Sequence, residues 1–384
     1  MCSEKANPSF KQLKRAYGFD EVAIVPGDVT INPDQTNVDF QIGDFTFTIP
    51  IVASAMDGVV DVSMVIRMGK LGGLAVLNLD GIQARYENPD EVLEKIAAAD
   101  NSEVTAVLQK VYSEPIKEDV VARRVEAIKK AGAICAISLI PANTKRLAPV
   151  VQEAGCDILV IQSTVTSARH VSKSYRGLIF SELTKQVKMP IVVGNCVSYT
   201  ACLELMPTGI AGVLVGVGPG AACTSREVLG MGVPQITATI DCAAARDTYY
   251  KETGKYIPII TDGGFKKGGD VCKAVAAGAD AVMIGSPLAQ TEGAPGRGYH
   301  WGMSHPHPAL PRGTRIKVGT TTTLEQLLLG PTSVTHGTQN LVGALRTVMG
   351  FCGADTIREM HKANMVIAPA IVTEGKSYQM SQGV

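Results

Sequence analysis

Eight times along the chain a short apolar run appears almost without polar alternation, and in seven of the eight it breaks off into a small or polar tip. The runs are TFTIPIVASAMDG (46–58), LAVLNLDG (74–81), GAICAISLI (132–140), CDILVIQST (156–164), MPIVVGNCV (189–197), AGVLVGVGPG (211–220), YIPIITDGG (256–264) and ADAVMIGS (279–286). Amphipathic stretches such as VVARRVEAIKKAG and SELTKQVK lie between them. Strands without alternation are buried on both faces, and strands that alternate with helices build a parallel sheet. Eight such units predict an α/β chain closed into a TIM (β/α)8 barrel. A doubly wound open sheet is the competing arrangement, but its glycine fingerprint would follow the first strand rather than a late one. VTAVLQKVY (104–112) is a ninth strand-like run and is expected to be an extra segment outside the barrel.

In a barrel the tips SAMDG, NLDG, IQST, GNC, GVGPG, TDGG and IGS converge on one face, so one site is assembled from distant sequence. Asp262, Gly263 and Gly264 end the seventh strand, and Gly285 and Ser286 end the eighth. Loops at these two positions commonly bind phosphate through free backbone amides. Asp262 would repel phosphate but accepts hydrogen bonds from ribose hydroxyls, which points to a nucleotide or sugar phosphate. The alternative is turns that merely need glycine. Cys223 follows the sixth strand across GVGPGAA, where it is either a nucleophile or a thiol packed under a loop. Thr224, Ser225 and Arg226 beside it offer hydroxyls and a cation for the nucleophilic reading.

Residues 291–319 lack both a helical stripe and sustained strand alternation, yet hold the only tryptophan and three of the six histidines. A long loop after the last strand of the site face is expected to be a flap. Its HPHP run has no helical spacing and no carboxylate, so a covering loop is favoured over a metal site.

Formal net charge is zero, with 36 basic and 36 acidic residues, which argues against a general nucleic-acid or membrane-surface binder. With no long apolar span or secretion signal, the expected location is cytoplasmic. Nine cysteines form no CxxC pair or Cys/His spacing, and most are expected to be buried thiols.

The ordered set of motifs resembles the IMP dehydrogenase/GMP reductase family from about residue 15 onward. GPGAACTSR looks like its catalytic cysteine loop, IVASAMDGV its first strand, VVGNC its asparagine-bearing strand end, ITDGG and MIGS its ribose and phosphate sites, and YHWGMS its flap start. The resemblance implies a single barrel domain over 1–384, with a flap at 291–319 and a C-terminal segment at 350–384. NLDGIQARYENPDEV passes onward where many dehydrogenases insert a paired regulatory domain, so no inserted domain is expected.

Carried over residue by residue, the resemblance makes Cys223 the nucleophile toward purine C2. It places Asp262 at the ribose, and Gly263, Gly264, Gly285 and Ser286 at the 5′-phosphate, with His300 where an aromatic phosphate contact usually stands. Ser54, Met56, Gly302, Met303 and Ser304 become substrate contacts, while Gln162, Ser163, Asn195 and Gly216 fall on the nicotinamide side. A potassium site is implied at the carbonyls of Gly218, Gly220 and Cys223, with the partner subunit's Glu374 or Gly375 as weaker candidates. The implied ligands are IMP, NAD+ and K+, and the implied assembly is a homotetramer, with an octamer as the larger alternative. Four positions depart from the family pattern: Ala221 replaces a serine, Ser225 a threonine, Gln162 an aspartate and His300 an aromatic residue.

Reductases typically continue the flap as SSE with a glutamate for ammonia release, whereas this chain reads GMSHPHP. TEGAPG resembles the dehydrogenase branch, and Arg312 or Arg315 offers a guanidinium for hydrolysis, although the usual arginine-tyrosine pair is missing. The expected reaction is NAD-dependent oxidation of IMP. Reductive deamination of GMP with NADPH and a non-catalytic nucleotide-binding regulator are the alternatives.

Overall fold

The computed structural model describes residues 12–171, 177–302 and 313–368, together with Gly375, Tyr378 and Ser381. Eight parallel strands close a barrel: β1 (Ile51–Ala53), β2 (Leu74–Asn78), β3 (Ala136–Leu139), β4 (Ile158–Gln162), β5 (Ile191–Cys196), β6 (Gly212–Val215), β7 (Ile259–Asp262) and β8 (Ala281–Ile284). Closure is made by β8 on β1, with Val282 opposite Ile51 and Ile284 opposite Ala53. All eight coincide with the predicted runs.

The crossover helices are α1 (Val62–Lys70) after β1, α2 (Pro89–Ala98), α3 (Val104–Ser113) and α4 (Glu118–Lys130) after β2, and α5 (Pro141–Glu153) after β3. They continue with α6 (Phe180–Gln186), α7 (Tyr199–Leu205), then α8 (Ser225–Leu229) and α9 (Gln235–Thr253) together after β6, α10 (Gly268–Ala276) and α11 (Ser286–Ala289). The run at 104–112 is therefore helix α3 and not a strand. Its buried residues Val104, Leu108, Val111 and Tyr112 recur at helical spacing, so the period of 3.6 prevails over the β-branched composition.

Strand parity positions the site. Val52, Val76, Ala136, Val160, Val192, Leu214, Ile260 and Met283 share one apolar cluster inside the barrel, while Ile51, Leu77, Ile137, Ile161 and Val213 pack outward in the cluster that includes the helices. Because side chains alternate along a strand, the residue two beyond each interior residue shares its face at the C-terminal mouth. Those residues are Ser54, Asn78, Ser138, Gln162, Gly194, Gly216, Asp262 and Gly285. The other end is plugged by an antiparallel hairpin, Phe40–Ile42 with Phe45–Phe47, whose Phe40 and Phe47 rings stack at 4.9 Å and join the interior cluster. Near the chain ends, Val22–Ile24 pairs antiparallel with Met365–Ile367.

Candidate active site

At the mouth, Asp262 is the electrostatic centre. Its Oδ2 accepts hydrogen bonds from Asn195 Nδ2 at 2.8 Å and Gln162 Nε2 at 2.9 Å, and Gln162 Nε2 also reaches Asn195 Oδ1 at 3.0 Å. Burial raises the Asp262 carboxyl to about 6, against the lowering effect of these two donors. Asn195 takes part because β5 shifts register between Gly194 and Cys196, a bulge that lets one extra residue turn toward the mouth. A Cβ on Gly194 would lie 2.4 Å from Leu214 Cβ, so glycine is required where the strand bends.

The loop after β6 folds onto the loop after β7. Gly216 has φ +150, and a Cβ there would fall 2.3 Å from Asp262 O and 2.7 Å from Gln235 Nε2. Gln235, the first residue of α9, ties the two strand ends by donating to Val215 O at 2.8 Å and Asp262 O at 2.7 Å. Cβ atoms on Gly263 and Gly264 would each come within 3.2 Å of the Pro219 ring. The close approach of the loops fixes Cys223, whose amide donates to Gly220 O at 3.0 Å and whose thiol donates to Ser225 Oγ at 3.3 Å. Cys223 is partly exposed, whereas Cys135, Cys156, Cys196, Cys202, Cys242 and Cys272 are buried.

On the β8 side, a Cβ on Gly285 would stand 3.0 Å from Met56 Sδ and 3.6 Å from Ser54 Oγ, so the three residues share one surface. Ser286 Oγ and His300 Nε2 are 2.9 Å apart. Burial lowers the His300 imidazole to about 4, so it is neutral at physiological pH and presents a dipole rather than a cation beside Ser286. The stem of the predicted flap is a two-stranded piece, Tyr299–His300 against Ile316–Lys317. It is fastened to the cysteine loop: Gly313 N donates to Thr224 Oγ1 at 3.1 Å, Thr314 N donates to Ala222 O at 3.3 Å, and a Cβ on Gly302 would lie 3.3 Å from the same carbonyl.

The family model for the IMP dehydrogenase / GMP reductase domain matches residues 16–304. The chain belongs to that family. An uncharacterized oxidoreductase of Mycolicibacterium smegmatis is 37% identical over 93% of this chain and 98% of its own length, and one of Mycobacterium leprae is 38% identical over 92% and 97%. The inosine-5′-monophosphate dehydrogenase of Cryptosporidium parvum is 27% identical over 95% and 94%. An IMP dehydrogenase/GMP reductase-like protein of Corynebacterium glutamicum superposes with a TM-score of 0.89 at 34% identity, covering 94% of this chain and 96% of that one. The protein is thus an oxidoreductase of the IMP dehydrogenase/GMP reductase family.

Within this family framework, the structure gathers Ser54, Met56, Gln162, Asn195, Gly216, Cys223, Asp262, Gly285, Ser286, His300 and Gly302 around the mouth. Ser163 continues the β4–β5 ladder, and its hydroxyl is turned to Val165 O at 2.9 Å. Met303, Ser304, Arg312 and Glu374 lie outside the described residues. The Arg315 guanidinium lies at the C-terminus of α2. It donates to Ile96 O at 2.6 Å and Asn101 Oδ1 at 2.9 Å and stacks over the Tyr299 ring at 4.4 Å. Helix-end carbonyls attract a cation, which explains the placement. Sequence reasoning missed Gln235 as the clamp between strands, and it missed the buried chain in which Trp301 Nε1 donates to Tyr112 Oη at 2.6 Å and Tyr112 donates to Asp57 Oδ2 at 2.6 Å. Parity after Val76 would have flagged Asn78, which donates to the same Asp57 oxygen at 3.3 Å.

Proposed function

We propose that this protein oxidises IMP to XMP with NAD+. The observation that carries the reading is Cys223, a partly exposed thiol on a loop clamped to the Asp262 strand end and hydrogen-bonded to the Ser225 hydroxyl. A nucleophile on a rigid loop, a carboxylate for ribose and glycine tips for phosphate are what covalent chemistry on a bound nucleotide needs.

Asp262 accepts from the ribose hydroxyls, and Gly263, Gly264, Gly285 and Ser286 surround the 5′-phosphate, with neutral His300 behind Ser286. Cys223 Sγ bonds to purine C2, and Ser225 takes part in moving the thiol proton. NAD+, when bound, accepts the hydride that leaves C2. Gln162 Oε1 is buried without a partner beside Asn195, which fits an acceptor for a carboxamide N–H. Water then adds to C2, the carbon–sulfur bond breaks, and XMP and the free thiol result. Gly218, with φ +81, and Gly220 shape a loop whose carbonyls, with that of Cys223, fit a potassium ion; Gly220 O has one lone pair left beside its bond from Cys223 N–H. The ion would order the loop electrostatically. The reading includes a homotetramer, with the chain as one barrel domain carrying its flap and without an inserted regulatory unit.

GMSHPHP, with no glutamate after Met303, supports oxidation over reductive deamination. The test incubates purified protein with IMP plus NAD+ and, separately, with GMP plus NADPH while following the reduced-cofactor absorbance. NADH formation from IMP is expected. NADPH loss with ammonia release, and none with IMP, would sink the assignment. Cys223→Ser should abolish turnover and the thiol-linked intermediate, and full activity in that variant would end covalent catalysis.

A further inference from the structure

Three cysteines that the site does not use meet beneath it. Cys196 ends β5, Cys202 lies on α7 and Cys242 on α9, and their sulfurs all lie within 4.8 Å of one another. Cys196 Sγ and Cys202 Sγ are 3.2 Å apart. The β5 bulge that turns Asn195 toward the mouth puts Cys196 among the outward-packed residues, where α7 and α9 bring the other two thiols. All three are buried, at 2%, 0% and 0% exposure. Their positions, six and forty residues apart in sequence, follow no metal-binding spacing, so only the fold assembles the triad.

We propose that Cys196, Cys202 and Cys242 form a binding site for a trivalent thiophilic oxyacid of the arsenite class. Charge selects this class. An ion held in such a buried place must leave little net charge, because burying an uncompensated charge costs several kcal/mol. Three thiolates around a monovalent soft ion would carry two negative charges, and around a divalent ion one. Asp241, which acts electrostatically on Cys202, is itself acidic and would oppose both. A trivalent centre with three thiolates is neutral.

The reaction is neutral throughout. Three As–O bonds of arsenous acid break and three As–S bonds form, each thiol proton leaves with a hydroxyl as water, and arsenic remains trivalent. Geometry agrees with the charge argument. Bonds of about 2.3 Å, the scale of soft ion–thiolate bonds, in a pyramid near 100° set sulfurs about 3.5 Å apart, so the 3.2 Å pair needs to open only slightly. A planar three-coordinate ion at the same bond length needs about 4.0 Å and a larger opening. With all three sulfurs buried, entry requires local opening of the packing around them, so loading is expected to be slow.

The experiment is native mass spectrometry of the full-length reduced protein incubated with arsenite. The expected result is a gain of one arsenic and a loss of three hydrogens per chain. This stoichiometry should persist in Cys223→Ser, and Cys202→Ala should weaken binding by roughly 100-fold as one tethered ligand is lost. If Cys202→Ala does not fold, wild-type alkylation mapping in moderate urea, where the buried thiols open to the reagent, decides: arsenite must protect Cys196, Cys202 and Cys242. An adduct that has lost only one or two hydrogens, or protection confined to Cys223, would overturn the proposal.

Discussion

Gln162→Glu converts the neutral donor beside Asp262 into a second carboxyl group of nearly the same shape. In the native chain Gln162 Nε2 donates to Asp262 Oδ2 at 2.9 Å, and burial holds Asp262 at about 6. Two carboxylates about 4 Å apart repel by about 4 kcal/mol at an effective dielectric constant of 20, equal to about three pK units. The pair should therefore share one proton and release it with an apparent pKa near 9, by adding those units to the value for Asp262. The direction of the stability effect follows. A carboxyl group whose folded pKa is raised contributes most below its unfolded value near 4 and loses that contribution as pH rises through the folded value. For Asp262 the loss is nearly complete by about pH 7. In the variant it should continue, at about 1.4 kcal/mol per pH unit, toward pH 9. Urea unfolding of both proteins at half-unit steps from pH 5 to 9.5 reads the difference directly, because the other groups cancel in the comparison. Parallel curves above pH 7 would refute the electrostatic account of this site.

Arg246 is buried, donating to Asp280 Oδ2 at 3.0 Å and Gly278 O at 2.6 Å, while Tyr256 donates to the second Asp280 oxygen at 2.5 Å. Arg246→Ala leaves that carboxylate buried without its cation and should cost about 3–5 kcal/mol, read as a lowered urea midpoint. Gly216→Ala places a methyl group 2.3 Å from Asp262 O and should weaken nucleotide binding together with thermal stability. Gly230→Ala, also left-handed at φ +65 but with no atom within 4 Å, should cost only the strain of about 1–2 kcal/mol and leave binding intact. Equal binding losses in these two variants, measured by calorimetry, would contradict the close-approach argument.

The barrel was legible because all eight strands announce themselves by an apolar run, and seven of them also by a small or polar tip. The helix at 104–113 was not, because Val104, Val107 and Val111 carry β propensity while their spacing carries the helix. At the site, Cys223, Asp262 and Gly285 could be read from their places at strand ends. The contacts of Arg315 could not. A cation one residue before a strand of the flap stem has many acceptors within reach of its flexible side chain, and here the end of α2 binds it. The thiol triad was equally hidden, since Cys242 joins Cys196 and Cys202 only through the packing of α9 on α7.

The helical segment between β2 and β3 also acquires a physical role. Trp301 sits between His300 beside Ser286 and Gly302 against the cysteine loop, and its indole is buried among α2 and α3 residues that include Leu93, Ile96 and Leu108. Its N–H donates to Tyr112 of α3, which in turn donates to Asp57, the residue following Met56 at the tip of β1. Asp57 is 1% exposed, and burial raises its carboxyl to about 6 despite the Tyr112 bond. A phenol that donates to this carboxyl and accepts from the indole serves two buried groups at once; removing it would strand the indole N–H, at about 1–3 kcal/mol, and leave the carboxyl with the longer bond from Asn78 in place of its shortest donor. Helix α3 therefore holds the flap stem to the first barrel tip, so the segment between β2 and β3 is a buttress for the C-terminal mouth of the barrel.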